Sequence, residues 1–369
     1  MVKELIERIQ FGKNDVMKRI MVGIVLLTMM MLVCGCKSNE PSAEKTEPMP
    51  EIQPRKVIID TDTAGDDAAA IIMAALYPEI DIKGVTVVSG NVALEQGAKN
   101  ALMSLEVAGR TDVPVYCGAK ESIAGEEYDI FSVYGEDGMG DADLIHPTTT
   151  PESMPAVDFI LKTVAEHPGE IDLIALGPAT NIAKAIKEDP KTMAKVKHIW
   201  VMGTAGFGPG NASPVAEFNI FKDPDAFKIL ADSGIPMTVM GLDETTETTY
   251  VTRSEQEALV QGNEIEKFLG TAMNGLMEFN SNNRGKDIAD LPDPIAMGCM
   301  LWDGYIEETV DCHASVIVEP GETYGQVILY KKGFSYDFPV TFDNYNVSVI
   351  TESRDDMFKT WFFETLKMK

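Results

Sequence analysis

The fold and the candidate site of this chain are both indicated by one stretch of its sequence, residues 57–70, which reads VIIDTDTAGDDAAA. The stretch begins at Val57 with apolar β-branched residues, as a buried strand does, and ends in three alanines that favour a helix. The turn between them holds four carboxylates: Asp60, Asp62, Asp66 and Asp67. Burying four acids together without a cation is costly in repulsion and desolvation, so we expect a metal site there. The alternative is a helix cap with solvated acids, but one cap needs only one Asp.

Outward from this stretch, apolar strands alternate with helical patterns. The predicted strands of this part are Lys56–Ile59, Ile82–Val88, Val113–Tyr116, Ile171–Ala175, Ile199–Met202 and Met237–Met240. The predicted helices are Ala68–Leu76, Leu94–Ala108 and three that begin near Ala156, Asn181 and Pro224. Fully apolar strands that alternate with helices are typical of a parallel sheet covered on both faces, which binds ligands at the carboxyl ends of its strands.

The pattern changes beyond Asp303. Short antiparallel strands are predicted at Ala314–Val318, Gln326–Leu329 and Phe338–Thr341, followed by a closing helix at Met357–Leu366. The predicted fold class is therefore α/β, with a mainly parallel, Rossmann-like central sheet, helices on both faces and a few antiparallel strands near the C-terminus. We expect residues 55–369 to form one domain, because no repeat or linker interrupts them.

Residues 1–36 predict an export signal. Lys18 and Arg19 precede an apolar run, Ile20–Val33, that is too short for a comfortable membrane span. Cys36 follows small residues, as the lipidated Cys of a bacterial lipoprotein does. This resemblance predicts an exported protein that is lipid-anchored to the bacterial cell membrane through Cys36. The alternatives are an ordinary signal peptide and a membrane anchor.

Two further features concern the N-terminal part of the chain. Met17 directly precedes the basic pair and is an alternative start, in which case residues 1–16 are a mis-annotated extension. Residues 37–54 are rich in Glu, Pro, Ser and Lys and carry little to bury. They predict a flexible tether between the lipid and the domain.

Composition excludes several classes of function. The chain has 369 residues, 31 Lys and Arg against 58 Asp and Glu, and a net charge of −27, which argues against nonspecific nucleic-acid binding. With only four His and five Cys, a His- or Cys-rich zinc site is not expected. The abundant carboxylates suit calcium or magnesium. Cys117, Cys299 and Cys312 are widely spaced, and we expect core thiols rather than a disulfide framework.

Six segments together resemble the nucleoside hydrolase family of the inosine–uridine preferring type. The first is the acidic turn, D-T-D-T-A-G-D-D-A, in which the Gly stands one place later than in well-known members. The others follow in the family's order: Thr86–Asn91 (TVVSGN), Gly135–Gly140 (GEDGMG), Leu176–Ala183 (LGPATNIA), Gly210–Asn219 (GNASPVAEFN) and Pro292–Pro294 (PDP). The resemblance covers most of residues 55–369 and implies hydrolysis of the N-glycosidic bond of ribonucleosides to ribose and free nucleobase.

The resemblance also implies roles for individual residues. It implies a calcium ion held by Asp62, Asp67, Asp293 and the backbone carbonyl of Leu176. It implies substrate contacts from Asp66, Asn91, Met202, Asn211, Glu217, Asn219 and Asp293, although a Met at position 202 is as readily explained by core packing. Asp62 is expected to bind calcium and also to act as the general base that takes a proton from the attacking water. A homodimer or homotetramer is the implied assembly.

The chain departs from the family on the side of the leaving base. Pro292 stands directly before Asp293, where well-studied members have a His, and Tyr134 stands where another His is expected. None of the four His lies in the late motif, so we expect no His to act as the general acid. Aromatic stacking with a proton from solvent is the alternative, and the candidate residues are Tyr134, Phe207 and Phe279. The Asn-rich segment Phe279–Gly285 resembles the mobile region that lines the family's base pocket and predicts a flexible loop there, with an ordinary solvated turn as the alternative.

Two other functions stay open on the sequence alone. Asp60-Thr61-Asp62-Thr63 after an apolar strand also resembles the first motif of haloacid-dehalogenase-type phosphatases, but the later segments have no role in that family. The second alternative is a non-catalytic nucleoside- or sugar-binding lipoprotein that keeps the pocket without turnover. The absence of the late His makes this second alternative a real one.

Overall fold

A nine-stranded sheet organises the chain in the computed structural model, which describes residues 54–368 except 128, 129, 131, 246, 247 and 338–341. Its strands are β1 (Arg55–Thr61), β2 (Ile80–Val87), β3 (Val115–Cys117), β4 (Ile171–Ala175), β5 (His198–Met202), β6 (Met237–Met240), β9 (Ile306–Val316), β10 (Val327–Lys331) and β11 (Val347–Ser353). Their order across the sheet is β10-β9-β11-β6-β5-β4-β1-β2-β3. Two short strands, β7 (Val251–Thr252) and β8 (Ile288–Ala289), pair separately.

The sheet is parallel from β3 to β11 and becomes antiparallel only at its far edge. β1 pairs with β2 and β4, and β11 pairs with β6, all in parallel. β9 runs antiparallel to both β11 and β10. The carboxyl ends of β1, β2, β4 and β5 therefore meet at one edge of the sheet, which is where the predicted site residues lie.

Helices cover both faces of this sheet. They are α1 (Gly65–Leu76), α2 (Leu94–Val107), α3 (Ala156–Glu166), α4 (Thr180–Glu188), α5 (Pro190–Met193), α6 (Phe218–Lys222), α7 (Pro224–Asp232), α8 (Arg253–Val260), α9 (Glu264–Ala272), α10 (Asn274–Arg284), α11 (Pro292–Leu301) and α12 (Asp355–Thr365). Val57 and Ile59 of β1 pack into one core and Ile58 into the other. Alternate side chains of a single strand thus enter two cores, as a doubly covered sheet requires.

The predicted fold class is confirmed, and the differences lie near the C-terminus. The predicted strand Ala314–Val318 is only the end of the longer β9. β11 was not predicted, although it joins the antiparallel edge to the parallel part of the sheet. The predicted strand Phe338–Thr341, the leader and nearly all of the tether lie outside the described residues.

The prediction of a flexible loop at Phe279–Gly285 is wrong. Residues 279–284 are the last turns of α10, and Gly285 ends the helix with a φ of 65°. The physical reason is Asn280, which is fully buried rather than solvated. Its amide donates to the carbonyl of Ile288 (3.0 Å) and to Asp290 Oδ2 (3.2 Å), so it fixes the helix to the segment that follows. In the described part of the chain, no helix combines the length and the apolar character needed to cross a membrane.

Candidate active site

The acidic turn between β1 and α1 is built around Asp67. Asp67 Oδ2 accepts from the backbone N–H of Ala64 (2.9 Å), and Asp67 Oδ1 accepts from the hydroxyl of Thr61 (2.5 Å). The side chain thereby closes the turn from the last residue of the strand to the residue that precedes the helix. A carboxylate at this place also meets the positive end of the helix dipole.

Asp62 is enclosed by backbone from two other strand ends. Its Oδ2 accepts from the N–H of Asn91 (2.5 Å), while its Oδ1 has no hydrogen-bond partner among the described residues. A Cβ added at Gly90 would lie 2.0 Å from Asp62 Oδ2, and one added at Gly177 would lie 2.5 Å from Asp62 Oδ1. Both positions are glycine because the Asp62 carboxyl group fills the space that a side chain would need.

The fold brings Asp293, from the first turn of α11, to the acidic turn. Oxygen atoms of Asp66, Asp67 and Asp293 lie within 4.8 Å of one another. This group differs from the expected metal ligands, because it contains Asp66 and does not contain Asp62. Asp62 lies near it, since the charges of Asp67 and Asp66 raise the pKa of Asp62, and the charge of Asp62 contributes to the raised pKa of Asp293. We call these four carboxylates, Asp62, Asp66, Asp67 and Asp293, the closed end of the site.

Electrostatics at the closed end favours a cation. Burial, followed by repulsion from Asp67, raises the pKa of Asp62 well above its usual value and that of Asp66 to about 8. Burial and then the charge of Asp66 raise the pKa of Asp293 well above its usual value. Four buried carboxyl groups with two unpartnered oxygens, on Asp62 and Asp66, fit a hard divalent cation that takes oxygen ligands.

The carbonyl of Leu176, the fourth expected ligand, lies at the end of β4 and already accepts a hydrogen bond. Asn219 Nδ2 donates to it at 2.6 Å and to the carbonyl of Met202 at 3.2 Å. A carbonyl oxygen has two lone pairs, so this contact leaves it one acceptor position. Asn219 therefore ties the ends of β4 and β5 together at the site.

A cavity of about 1080 Å³ opens above these strand ends. It is lined by every residue expected to contact the substrate: Asp66, Asn91, Met202, Asn211, Glu217, Asn219 and Asp293. Leu176 also lines it, whereas Asp62 and Asp67 are fully buried and do not. Of the expected ligands, Asp67 and Asp293 belong to the group of oxygens within 4.8 Å, Leu176 lines the cavity, and Asp62 lies beneath it.

Glu217 and Asn211 owe their positions to the start of α6. Both carboxylate oxygens of Glu217 accept from the N–H of Asn219 at 3.0 Å, so Glu217 caps the helix. Asn211 Oδ1 accepts from the N–H of Phe218 (2.9 Å). Burial raises the pKa of Glu217 to about 7. Hydrogen bonds to the start of α6 thus explain the positions of Glu217 and Asn211, and both residues line the cavity.

The other side of the cavity is lined by α10 and the segment after it. Tyr134 and Phe279 line it, as expected for contacts to a base, together with the charged residues Arg284, Lys286 and Asp290. We call Phe279, Arg284, Lys286 and Asp290 the open end of the site. Arg284 and Lys286 are exposed, unlike the acids of the closed end.

Phe207 and the four His do not line the cavity. Phe207 is 43% exposed, and Lys331 Nζ lies 3.8 Å from the centre of its ring. His198 contacts the Thr238 hydroxyl at 2.9 Å, and His313 stacks on Phe342. The role of the four His in the reaction therefore stays a prediction, and of the three aromatic candidates Phe207 is the one outside the cavity lining.

Sequence reasoning missed two buried amides that hold the site together. Asn181 donates to Asp60 Oδ1 (2.8 Å), and Asn100 Nδ2 donates to the carbonyls of Thr63 (2.9 Å) and Asp137 (2.8 Å). Asn100 is fully buried in the middle of α2. A polar amide on the apolar face of an amphipathic helix was the signal that could have found it, because such a group needs buried partners.

The family model described as inosine-uridine preferring nucleoside hydrolase matches residues 57–360. The probable uridine nucleosidase 2 of Oryza sativa subsp. japonica is 37% identical over 252 residues, which are 68% of this chain and 75% of that protein. A solved plant nucleoside hydrolase is 32% identical, with a TM-score of 0.79, and the match covers 86% of this chain and all of that one. A purine-preferring ribonucleoside hydrolase from Gardnerella vaginalis is 30% identical, with a TM-score of 0.75, covering 84% of this chain and 98% of that one. The chain therefore belongs to the inosine–uridine preferring nucleoside hydrolase family.

Proposed function

We propose that this protein hydrolyses the N-glycosidic bond of ribonucleosides to ribose and free nucleobase, with calcium as its cofactor. The observation that carries the proposal is the closed end itself: four buried carboxyl groups at strand ends, beside a cavity lined by amides and carboxylates. Membership of the family makes the chain a nucleoside hydrolase and replaces the phosphatase interpretation. Relatives named for uridine and for purines leave the preferred base to experiment.

The residues on the cavity wall account for binding of the sugar. Asp66, Asn91 and Asn219 present charged and amide groups toward a ligand in the cavity. Asp66 lines the cavity, and its Oδ1 has no partner among the described residues, so a ligand in the cavity can supply one through a sugar hydroxyl. A deoxy sugar would leave such a buried acceptor unpaired, which is the physical basis for a preference for ribose.

Asp62 is the proposed general base. Its Oδ2 is held by the N–H of Asn91, so the unpartnered Oδ1 is the atom available to accept a proton from the attacking water. The cation expected among Asp62, Asp67, Asp293 and the Leu176 carbonyl would supply Lewis acidity, which makes water easier to deprotonate. With no His on the cavity wall, the departing base takes its proton from solvent or from another group of the open end.

The test is nucleobase release from a panel that includes uridine and inosine, with and without a chelator. Steady release that stops on chelation and returns with calcium is the expected result. Nucleoside binding without release would instead favour the non-catalytic binding protein, and release unaffected by chelation would contradict the calcium proposal. Phosphate release from phosphomonoesters would revive the phosphatase interpretation.

The N-terminal signal adds a proposal about location. We expect the mature protein to begin at a lipidated Cys36 and to be exported and anchored to the bacterial cell membrane, on the sequence grounds given above. Cys36→Ala should abolish acylation, as measured by mass spectrometry of the membrane fraction. A mature N-terminus at Met1 or Met17 would contradict it. The proposed homodimer or homotetramer is tested by light scattering on the released domain.

A further inference from the structure

Tyr134 stands where the closed end and the open end meet. It lines the cavity together with Asp66, and its ring lies beside the start of α1, where a Cβ added at Gly65 would be 3.5 Å from Tyr134 Cδ1. Its hydroxyl is near enough to the Asp66 carboxyl group to affect the pKa of that group. A phenol is protonated at neutral pH, so the hydroxyl of Tyr134 can donate a hydrogen bond to the carboxylate of Asp66.

Residues 134–140, which we call the Tyr134 loop, are held by backbone contacts. The N–H of Gly140 donates to the Tyr134 carbonyl at 2.8 Å, which closes the loop on itself. A Cβ added at Gly275, in the first turn of α10, would lie 2.6 Å from that same carbonyl. The loop thus packs directly on α10, which fixes the backbone position from which the Tyr134 side chain reaches the cavity.

Asn100 joins this loop to the acidic turn. Its single amide nitrogen donates to the carbonyl of Thr63, in the acidic turn, and to the carbonyl of Asp137, in the Tyr134 loop. Its own oxygen accepts from Gln96 Nε2 at 2.9 Å, so the orientation of the amide is fixed. One fully buried side chain thereby sets the spacing between the two segments that carry Asp66 and Tyr134.

We propose that Tyr134 is a positioning residue whose hydroxyl holds the Asp66 carboxylate in place to receive a sugar hydroxyl, and that Asn100 keeps the Tyr134 loop at the distance this contact needs. The inference rests on the proposed function, because Asp66 acts on the sugar of a bound riboside. Tyr134 then acts on the ribose through Asp66, and it does not deliver a proton to the leaving base. Hydrogen bonds to charged groups are worth enough to make the contact measurable in turnover.

The first test compares Tyr134→Phe with the wild-type protein on three substrates: the best ribonucleoside, its 2′- or 3′-deoxy analogue, and nitrophenyl riboside. We expect kcat/KM for the ribonucleoside and for nitrophenyl riboside to fall by the same factor, about 10- to 100-fold. The ratio of kcat/KM for the ribonucleoside to kcat/KM for its deoxy analogue should also fall. Tyr116→Phe is the matched control, since Tyr116 stacks on Phe159 (3.9 Å between ring centres) and does not line the cavity. It should change kcat/KM less than twofold.

Two outcomes of this test overturn the inference and leave the proposed function standing. A loss on the ribonucleoside that is absent on nitrophenyl riboside would make Tyr134 a proton donor to the base. If the wild-type protein is active and Tyr134→Phe has the same kcat/KM on all three substrates, Tyr134 has no positioning role. A wild-type protein that releases no base from any substrate would instead refute the proposed function.

A double-mutant cycle tests the part played by Asn100. Asn100→Ala should lower kcat/KM in the same direction as Tyr134→Phe, and it should cost at least about threefold less when Tyr134 is already Phe. Asn346→Ala is the control, because that amide also bridges backbone, at Ala314, but on the antiparallel edge of the sheet. Calcium content and melting temperature are measured for each variant. Fully additive losses would show that Asn100 does not act through Tyr134.

Discussion

The closed end and the open end of the cavity differ in the elements that supply their residues and in the exposure of the side chains. The closed end takes its carboxylates from strand ends and the first turns of helices, and all four are at most 4% exposed. The open end takes its residues from α10 and the segment after it, where Arg284 and Lys286 are exposed. Groups fixed by a sheet edge hold one geometry, whereas exposed side chains on a helix surface adapt. Under the proposed function, the closed end would carry the chemistry and the open end would select the base.

The largest expected effect comes from Asp67→Ala. This change removes the acceptor for Thr61 and Ala64 as well as a charge of the closed end, so calcium and base release should both fall below detection. Elemental analysis and a base-release assay measure the two losses. Asp112→Ala, an exposed acid of the same type, is the control and should keep both. Full activity without any divalent ion in the purified protein would refute the metal site.

Asp62→Asn tests whether the closed end supplies the general base, because it keeps the shape of the side chain and removes its basicity. We expect kcat to fall about 10²–10⁴-fold, the usual contribution of a general base, with any loss of calcium adding to this. Replacing each His by Ala should change kcat less than tenfold, since no His lines the cavity. A His variant that loses about a hundredfold on nucleosides, but not on nitrophenyl riboside, would identify a general acid.

Stability should respond to calcium and pH through the closed end. The pKa of Asp66 is raised to about 8 in the folded chain without metal, from about 3.8 when unfolded, so Asp66 stays protonated when folded and ionises on unfolding. Its contribution is present below about pH 4 and is lost as pH rises through about 8. The metal-free protein should therefore melt at a lower temperature at pH 8 than at pH 5. Calcium at 100 times its Kd should raise the melting temperature by roughly 4 °C at pH 8.

Asp66→Asn is the matched variant for this pH series. Without an ionisable group at position 66, the melting temperature of the metal-free protein should fall less steeply between pH 5 and pH 8. Thermal melts by circular dichroism, with chelator present throughout, measure both slopes. Equal slopes would show that Asp66 is not the group responsible.

The smallest effect is expected at the open end. Phe279→Ala removes an aromatic wall and should raise KM several-fold while changing kcat little, with the factor depending on the base. Phe207→Ala should leave both within twofold, because Phe207 does not line the cavity. Steady-state kinetics on uridine and inosine measure the two variants. A large fall in kcat for Phe279→Ala would contradict the claim that the open end selects the base without taking part in the chemistry.

The sequence predicted the closed end better than the open end for a physical reason. Strand ends marked by Asp60–Asp67 or by Leu176 are local patterns, and a parallel sheet brings such ends to one edge whatever their distance along the chain. The partners of Asn100 and Asn280 lie in segments that no local pattern connects. For the same reason the helical end of α10 was predicted as a loop, since the burial of Asn280 depends on contacts to the segment that follows the helix.

The starts of α8 and α9 are marked in the sequence by capping boxes. Thr252 and Glu255 form a capping box at the start of α8, and Asn263 and Glu266 form another at α9. This spacing of Ser, Thr or Asn three residues before Glu marks helix starts and would have predicted both helices. β11 is harder to predict, because its role depends on pairing with β6, more than a hundred positions earlier along the chain.

The two glycines around Asp62 limit how this protein can evolve. Neither Gly90 nor Gly177 carries a chemical group, yet a single methyl group at either would displace the carboxyl oxygens of the proposed base. Drift at these two positions is therefore as restricted as drift at the acids themselves, and a gain of bulk at one could survive only with a compensating shift of the Asp62 backbone. Loss of the reaction alone would not free these glycines, because the clash remains as long as the Asp62 side chain keeps its place. Their replacement in a descendant would therefore mark a displaced Asp62 carboxyl group, and with it the loss of the proposed base, even where every acid is retained.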